Sequence, residues 1–537
     1  MPESDLEYDY IVLGAGSSGC VIANRLSAKE DIRVLLIEAG PKDRNPWIHI
    51  PIGYYRTMYN PQLTWGFETE ATSGTNDRRF SWPRGKVLGG SSSINGLVYA
   101  RGQAEDFDHW RQLGCTGWSF DDVLPLFRRA EGATMDGLDD GFHGRDGPLG
   151  VNRASSHPLC DAYIAAAEQA GIPANSDYNG AYQEGAGYFH VTSRNGWRSS
   201  AATAYLRPAK GRRNLTIQTE SMVRRLIAED RRIKGVEIES RGRLQTVRAR
   251  CEVIVSAGAI GSPQILQLSG IGDGTLLKSY GIEPVCHLPQ VGENLQDHYT
   301  CSSKYRCTHP MTVNDEVANW MGNARVALQW LKDRSGPMSL SAGQVGVFAK
   351  TSPNCETPDV QFHFLRYSAQ TRGGKLDPFS GFTVSVCQLR PQSRGHVRIK
   401  SSDPNNKPLI QPNYLSQTRD CDTMVAGMRL VRKVSNQPAL KGYISEELKP
   451  GLDVTDDESI LDFVRNNGST IFHPSSTCRM GGDPQAVVNP RLKVNGMEGL
   501  RVADASIMPT IVSANTNAAC IMIGEKAADL VLEDHYK

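Results

Sequence analysis

The chain has 537 residues, of which 39% are hydrophobic and 22% are charged, as in ordinary folded globular proteins. Its 59 lysines and arginines nearly balance 58 aspartates and glutamates, for a formal net charge of +1. This balance argues against a nucleic-acid binder, because such proteins gather a basic excess into patches. The length is too great for one small core and predicts two or three interleaved domains.

The start of the chain and the cysteines indicate a cellular compartment. Residues 1–7 are acidic and polar, whereas a signal peptide has a basic start followed by an apolar run. No stretch approaches the roughly 18 apolar residues of a membrane helix. The 12 cysteines are scattered without a Cys-x-x-Cys pattern and are predicted to be reduced packing residues. We therefore expect a cytoplasmic protein without a metal site, and loose attachment to the inner membrane stays open.

The first predicted elements form a strand–helix–strand unit. Residues 8–13 and 34–37 are short apolar runs, which are typical of buried strands. Between them, Cys20, Val21, Ala23 and Leu26 give a helical apolar face. The unit has about the 30 residues of a βαβ crossover. The irregular stretch that follows, up to about residue 93, is rich in Pro, Gly, Asn and Trp, and long loops of this kind are usually functional.

The middle of the chain alternates between strand-like and mixed segments. Between residues 215 and 250, four apolar runs separated by charged turns predict a small antiparallel sheet. Residues 253–255 predict a buried strand, which is followed by a helix over residues 263–268. The mixed segment from about 305 to 450 has no phosphate-type loop and is assigned to a substrate-side domain. Residues 521–532 have helical periodicity and are expected to pack against the first domain.

A glycine-rich loop follows the first strand. Gly14, Gly16 and Gly19 fit the pattern Gly-x-Gly-x-x-Gly after a strand and at the start of a helix, where backbone amides approach a pyrophosphate. Glu38 closes the second strand, where a carboxylate can accept a hydrogen bond from a ribose hydroxyl. A glycine-rich turn without a ligand is the alternative, but strand, helix, second strand and Glu38 agree on a dinucleotide. The loop alone does not distinguish FAD from NAD.

Further segments resemble the signatures of one flavoenzyme family. Residues 84–96 read Arg-Gly-Lys-Val-Leu-Gly-Gly-Ser-Ser-Ser-Ile-Asn-Gly, and four more matches follow in the family's order, at residues 258–272, 294–298, 473–481 and 503–509. On these segments the chain resembles the glucose–methanol–choline (GMC) oxidoreductases. Residues 45–53 and 81–86 are most similar to bacterial FAD-dependent, acceptor-linked alcohol dehydrogenases, with choline, sorbose and polyethylene-glycol dehydrogenases as near neighbours.

The resemblance implies the fold class and the domain organisation. The expected fold is α/β (α+β overall), with a doubly wound Rossmann-like FAD domain. That domain is expected to be discontinuous, built from residues 1–155, 195–305 and 460–537. The interleaved substrate-binding domain, residues 156–194 and 306–459, is expected to contain an antiparallel sheet flanked by helices.

The resemblance also assigns residues to FAD by their positions in the motifs. From the pyrophosphate and adenosine end to the flavin ring, the expected contacts are Gly14, Gly16, Ser17, Ser18, Gly19, Glu38, Ala39, Trp65, Val223, Asp504, Ala505, Val87, Gly90, Asn95, Val98, Asn517 and Ala518. For Trp65, a buried structural role is an equal alternative. Some family members tether FAD covalently through a histidine where this chain has Ile94, so we predict non-covalent FAD.

His473 and Asn515 are the catalytic pair that the resemblance implies. An alcohol must lose its hydroxyl proton while its α-hydride moves to flavin N5, and a histidine can accept that proton at physiological pH. A second polar group must hold the oxygen as negative charge develops. Asn515 precedes an apolar helix, so helix capping is an alternative role that is compatible with catalysis. His298, outside this pair, is predicted to be structural.

The predicted activity is oxidation of a primary aliphatic or aromatic alcohol to the aldehyde, with electrons passed to a quinone or another carrier. A choline dehydrogenase and an O₂-using alcohol oxidase are close alternatives, since flavin reactivity with O₂ depends on local charge and access. A hydroxynitrile lyase with non-redox FAD is a rival from another reaction class. A non-catalytic FAD-binding protein is disfavoured because His473 and Asn515 are both present. The oligomeric state is not predicted.

Overall fold

A computed structural model describes residues 7–371 and 373–537 of the chain. Residues 1–6, on which the prediction about a signal peptide rests, lie outside the described residues. The predicted strand–helix–strand unit is confirmed as strand Glu7–Leu13, helix Ser17–Leu26 and strand Val34–Ile37. The two strands pair in parallel, with Tyr10 opposite Val34 and Leu13 opposite Ile37.

The first sheet is parallel in one part and antiparallel in the other. In spatial order its strands are Leu215–Gln218, Val34–Ile37, Glu7–Leu13, Arg243–Val255, Arg232–Ser240 and Ser221–Glu229, with Leu500–Val502 also paired to Arg243–Val255. The first four strands and Leu500–Val502 pair in parallel, whereas the last three of the spatial order form an antiparallel meander. The central strands are apolar and buried at residues 10–13, 34–37 and 253–255, because both faces of this part are covered, whereas the edge strand Leu215–Gln218 is partly exposed.

Two predictions about residues 215–255 are wrong in detail. Leu215–Gln218 is not part of the antiparallel sheet but pairs in parallel with Val34–Ile37. The runs at 244–247 and 253–255 belong to one strand, Arg243–Val255. Its exposed Arg248 and Arg250 alternate with buried Val247 and Ala249. The charges therefore mark the solvent face of a continuous strand and not a break between two strands.

The second sheet is antiparallel throughout and confirms the predicted sheet of the substrate side. Its spatial order is Ile444–Lys449, Tyr299–Cys307, Gly381–Gln388, Val360–Leu365, Val345–Ala349 and Gly185–Tyr188, with Ser469–Thr470 also paired to Tyr299–Cys307. Helices Pro158–Gln169 and Thr418–Ser435 pack on it. Tyr163, Met424 and Val431 from these helices enter one buried cluster with the strands.

The predicted domain boundaries cut through two elements. The boundary after residue 305 falls inside strand Tyr299–Cys307, and the boundary before residue 460 falls inside helix Asp457–Asn467. Ile460 and Val464 of that helix belong to the buried cluster of the second sheet. We therefore propose that the substrate-binding domain includes residues 299–305 and extends to about residue 470.

The C-terminal helix Asn517–His535 includes the predicted helical segment and packs against Ser17–Leu26. Ser18 Oγ donates a hydrogen bond to the Cys520 carbonyl at 2.7 Å. At Gly524 a Cβ atom would lie only 2.8 Å from the Ser18 carbonyl oxygen. The glycine therefore permits the close approach of the two helices. The predicted helix at 263–268 is confirmed within Gly258–Leu268.

Shorter strands and further helices complete the chain. The remaining paired strands are Glu131–Ala133, Leu149–Arg153 and His190–Val191, Phe67–Glu68 with Ser81–Trp82, Ser193–Arg194 with Trp197–Arg198, Ile271–Gly272 with Cys286–His287, and His396–Arg398 with Leu409–Gln411. The further α-helices are Pro46–His49, Tyr54–Thr57, Ala104–Gln112, Phe120–Ala130, Arg207–Ala209, Gly274–Ser279, Val313–Glu316, Trp320–Asp333 and Pro438–Lys441. Among residues 7–371 and 373–537, no helix has both the length and the apolar character to cross a membrane.

Candidate active site

A cavity of about 710 Å³ lies where the two sheets meet. Leu13, Ile37 and Ser256, at the carboxyl ends of the parallel strands, line one end of it, the edge at which open α/β sheets bind ligands. Ser302 and Ser385 of the second sheet line another part of the wall. The volume lies in the range of ligand pockets, about 300–1,000 Å³.

The Gly-x-Gly-x-x-Gly loop presents a helix N-terminus to this cavity. Gly14 has φ +97°, and a Cβ atom there would lie 2.5 Å from the Ser256 carbonyl oxygen, so the tight turn needs glycine. Gly16 is the N-cap residue of helix Ser17–Leu26, which has no side-chain cap and no acidic residue in its first turn. Its first amide groups are thus suited to an anionic pyrophosphate.

Two buried carboxylates organise the neighbouring loops. Glu38 accepts hydrogen bonds from the Ala15 and Gly40 amides at 3.0 and 2.8 Å, and burial raises its pKa to about 7. Asp504 accepts hydrogen bonds from the Gly258 amide at 2.8 Å and from Ser262 and Ser506. Burial raises the pKa of Asp504 as well. Both carboxylates line the cavity beside the glycine loop.

The glycine-rich segment at 84–96 packs directly on the phosphate loop. Gly90 has φ +54°, and a Cβ atom there would lie 2.7 Å from Gly16 Cα. The two backbones therefore form one narrow cradle that a larger residue would fill. Asn95 is oriented by Arg198, whose Nη1 donates to Asn95 Oδ1 at 2.6 Å. Burial lowers the pKa of this arginine to about 9.

Most residues that the sequence assigned to the cofactor lie on this wall. Those that line it are Gly14, Gly16, Ser17, Ser18, Glu38, Ala39, Trp65, Gly90, Asn95, Val98, Val223, Asp504, Ala505 and Asn517. Ser17 Oγ donates a hydrogen bond to Asn517 Oδ1 at 2.7 Å. This bond links the first residues of helices Ser17–Leu26 and Asn517–His535 at the cavity. An uncapped helix N-terminus, two carboxylates and a glycine cradle together fit a dinucleotide.

Three assigned residues lie behind the wall. At Gly19 a Cβ atom would lie 2.0 Å from the Gly14 carbonyl oxygen, so this glycine permits the helix to approach the strand. Val87 belongs to a small buried cluster with Ile48 and Ile94. Ala518 is buried in the core of the first sheet. Each supports the wall by packing.

His473 is fixed through its backbone by a buried carboxylate. The His473 amide donates to Asp297 Oδ1 at 2.6 Å, and Tyr414 and Thr470 donate to the other carboxylate oxygen. Burial raises the Asp297 pKa to about 6. Asp297 thereby joins the segment at 294–298 to the segment that carries His473.

The His473 ring lies inside a chain of side-chain hydrogen bonds. Its Nδ1 is 3.0 Å from Nδ1 of buried His298, whose Nε2 is 3.2 Å from the Leu389 carbonyl oxygen. On its other side, His473 Nε2 is 3.2 Å from Asn515 Nδ2. Gln361 Nε2 in turn donates to Asn515 Oδ1 at 3.1 Å, which fixes the amide orientation of the asparagine.

This chain assigns the proton positions. A carbonyl oxygen only accepts, so His298 Nε2 carries a hydrogen and donates to Leu389. Burial lowers the His298 pKa to about 4, so the ring is neutral near pH 7 and its Nδ1 is an acceptor. His473 Nδ1 must therefore donate to His298. In the neutral form of the His473 ring, Nε2 is then the atom without a hydrogen, and it faces Asn515 and the cavity, where a base is needed.

Sequence reasoning missed three members of this constellation. His298 was predicted to be structural, yet it contacts the His473 ring. Asp297 lies in the same recognised segment as His298, so the segment itself was a signal that could have marked both as candidates. Gln361 lies in strand Val360–Leu365, where no motif marks it, so only the pairing of strands brings it to Asn515.

Comparison with known proteins agrees with these observations. The family model of the GMC oxidoreductase N-terminal domain matches residues 8–300, and that of the C-terminal domain matches residues 391–524. An oxygen-dependent choline dehydrogenase of Vibrio vulnificus is 44% identical over 98% of this chain and 94% of its own length. An alcohol dehydrogenase [acceptor] of Pseudomonas putida is 42% identical over 98% of this chain and 96% of its own.

Solved structures give the same result. Pyridoxine 4-oxidase from Mesorbium loti superposes with a TM-score of 0.88 at 30% identity, covering 99% of each chain. A formate oxidase variant from Aspergillus oryzae superposes with a TM-score of 0.91 at 26% identity, again covering 99% of each chain. The chain therefore belongs to the GMC oxidoreductase family and is an FAD-dependent oxidoreductase that acts on the CH–OH group of its substrate.

Proposed function

We propose that this protein oxidises a primary alcohol to the aldehyde, with His473 as the base that takes the hydroxyl proton. FAD, when bound, would supply the oxidant to which the α-hydrogen of the alcohol passes as hydride. The observation that carries the proposal is the hydrogen-bond chain from Leu389 to His473, because it occupies His473 Nδ1 and turns Nε2 toward Asn515 and the cavity. A histidine with a lone pair toward the substrate can act as a general base near neutral pH.

Asn515 has a complementary role. Its Nδ2 group lies 3.2 Å from His473 Nε2, so one alcohol oxygen can contact both groups. The amide donates a hydrogen bond to that oxygen as negative charge develops on it. Because Gln361 fixes the amide through Asn515 Oδ1, little reorganisation is needed during the reaction.

The wall of the cavity favours an uncharged alcohol. Thr300, Ser302, Thr383 and Ser385 bring hydroxyl groups to the cavity from two adjacent strands of the second sheet. The carboxylates of the described wall are Glu38 and Asp504, and both accept hydrogen bonds from backbone amides of the loops beside the glycine loop. A cationic substrate would therefore find no carboxylate beside His473 within the part of the wall that the structure describes.

Choline is the second candidate substrate, and two observations favour it. Tyr54, Tyr55 and Tyr367 line the same cavity, and aromatic faces attract quaternary ammonium groups. Relatives of the chain include choline dehydrogenases of Vibrio vulnificus and of Homo sapiens, which are 44% and 43% identical. A direct comparison of choline with neutral primary alcohols decides between the two candidates.

We propose that FAD is held without a covalent bond. The cradle of Gly14, Gly16 and Gly90 with the carboxylate of Glu38 would hold its dinucleotide part, and Asn95 would face the flavin part. Ile94 lines the cavity and has no nucleophilic atom with which to form a bond. Acid precipitation should leave the yellow colour in the supernatant, whereas colour retained in the pellet would contradict the proposal.

We also propose that the electrons pass to a quinone or another carrier in preference to O₂. The relative from Pseudomonas putida is named an alcohol dehydrogenase [acceptor], which supports a carrier. Oxidases are among the structural neighbours, so the O₂ reaction must be measured beside the reaction with a quinone or a dye.

The test is the visible spectrum of the purified protein without O₂, followed by a panel of primary alcohols and choline. Bleaching of the flavin band by a neutral alcohol supports the proposal, and faster bleaching by choline makes choline the substrate. Readmitted air separates an oxidase from a dehydrogenase by the rate at which the colour returns. A yellow protein that no alcohol bleaches would contradict alcohol oxidation and point to a lyase reaction.

A further inference from the structure

Helix Trp320–Asp333 has an exposed apolar face. Met321, Ala324, Leu328 and Leu331 follow each other at spacings of three and four residues and are exposed, so they form one stripe along the helix. The exposed fractions of its large members and of the neighbouring tryptophan are high: Trp320 78%, Met321 60%, Leu328 65% and Leu331 61%. Large apolar side chains that are exposed together on one face, and not scattered singly, indicate an interaction surface.

The opposite face holds the helix firmly on the protein. Val326 and Trp330 are buried, and the Trp330 and Trp197 rings pack edge to face with centroids 4.7 Å apart. The Arg334 guanidinium lies over both tryptophan rings, 4.2 and 4.7 Å from their centroids. Asn319 caps the N-terminus by accepting from the Gly322 amide at 2.9 Å. The stripe is therefore held outward by a well-packed inner face.

Basic side chains accompany the apolar stripe. Arg325 and Lys332 are exposed and lie three or four positions from Met321 or Leu328, so they flank the stripe on the same side of the helix. Asp333 is the acidic residue of the helix, and its carboxylate accepts hydrogen bonds from the Ser335 hydroxyl and amide at 2.7 and 3.1 Å. An apolar stripe with a tryptophan at its end and cations at its side has the composition of helices that lie in a membrane interface.

The area of the stripe argues against a second copy as the partner. A helix of 14 residues is about 21 Å long and, at about 10 Å wide, offers roughly 200 Å². A stable protein–protein interface buries about 800 Å² on each partner. We propose that this helix docks the protein on an anionic phospholipid bilayer, with the apolar side chains in the interface and Arg325 and Lys332 against the lipid phosphates.

The docking helix is connected to the wall of the cavity. The turn Pro337–Ser339 packs against both the helix and the segment Pro51–Gly53. Helix Tyr54–Thr57 follows that segment directly, and its Tyr54 and Tyr55 line the cavity. Docking through the Trp320–Asp333 helix thus brings the tyrosine side of the cavity close to a membrane that can hold lipid-soluble reactants.

Flotation of the FAD-loaded protein with phosphatidylcholine vesicles, with and without phosphatidylglycerol, tests the proposal. The protein should float with the anionic vesicles and release in high salt, which screens the basic residues. The variant Leu328→Ser/Leu331→Ser should weaken partitioning at least about tenfold, because it removes two apolar side chains from the interface. The variant Arg325→Glu/Lys332→Glu should abolish the preference for anionic vesicles.

The matched control is Leu244→Ser/Leu452→Ser, which changes two leucines that are 64% and 78% exposed elsewhere on the surface and should float like the wild type. Turnover with a water-soluble dye should be unchanged in all variants, so a failure of vesicle binding is distinguishable from a failure of the proposed alcohol oxidation. The proposal would be overturned if the wild-type protein floats with neither kind of vesicle, or if the stripe and control variants lose vesicle binding equally. Light scattering could also show a dimer that dissociates only in the Leu328→Ser/Leu331→Ser variant. That result would overturn the proposal and make the helix a contact between two copies of the chain.

Discussion

Replacing His298 by alanine is expected to slow alcohol oxidation through the protonation of His473. In the wild type, His298 Nδ1 accepts from His473 Nδ1 at 3.0 Å, and the Leu389 carbonyl holds His298 in that state. Without this acceptor, the His473 proton can move to Nε2, the atom that faces Asn515 and the cavity. A ring protonated at Nε2 cannot take the proton of the alcohol.

The expected magnitude follows from the lost hydrogen bond. Leaving a buried donor without its partner costs about 1–3 kcal/mol. If this cost sets the tautomer population, it corresponds to a fall in kcat/KM of about 5- to 160-fold. The variant His298→Asn retains an acceptor oxygen near the position of Nδ1 and should recover most of the loss. Stopped-flow reduction of the flavin over a pH series measures the effect, with FAD content and melting temperature as controls.

Two results would refute this reasoning. A His298→Ala variant with the wild-type rate at each pH would mean that the histidine pair does not set the proton position. Equal losses in the alanine and asparagine variants, together with a reduced FAD content, would mean that His298 acts only by packing.

Three further predictions concern other parts of the site. The Asn515→Ala variant should lower the maximal rate of flavin reduction about 100-fold, because a donor to the developing charge is lost; a change in KM alone would exclude this role. The Gly90→Ala variant should be purified with much less FAD, as judged by absorbance, because its Cβ would lie 2.7 Å from Gly16 Cα; full loading would disprove the close approach. Because burial raises the Asp297 pKa from 3.8 to about 6, the folded protein binds this proton more tightly than the unfolded chain. The free energy of unfolding from urea titrations should therefore fall by at most about 3 kcal/mol as the pH rises from 3.8 to about 6. Asp297→Asn should remove this component, and an unchanged pH slope would contradict it.

The local pattern of the sequence predicted the elements that place the cofactor. Apolar runs on both sides of Gly14 to Gly19 identify two buried strands and the helix between them, because spacing and turn residues act within a few positions. The same information does not give strand partners. Leu215–Gln218 has the alternation of any half-buried strand, and its parallel pairing with Val34–Ile37 depends on contacts between residues far apart in the chain.

The residues of the candidate site fall into the same two groups: those that local sequence patterns predict and those that depend on long-range contacts. His473 and Asn515 could be predicted because they lie in segments whose residue types carry a resemblance. Gln361 could not, because its role depends on the strand that brings it to Asn515. The contact of His298 could not be predicted either, since a sequence does not reveal that two histidine rings 175 positions apart are in contact.

The most direct test of the account is anaerobic flavin reduction by a primary alcohol in the wild type and in the variant His473→Gln. Glutamine keeps a polar side chain but cannot act as a base, so the account predicts normal FAD binding and a reduction rate lower by about 100- to 10,000-fold. A variant that reduces the flavin at the wild-type rate would contradict the assignment of His473 as the base.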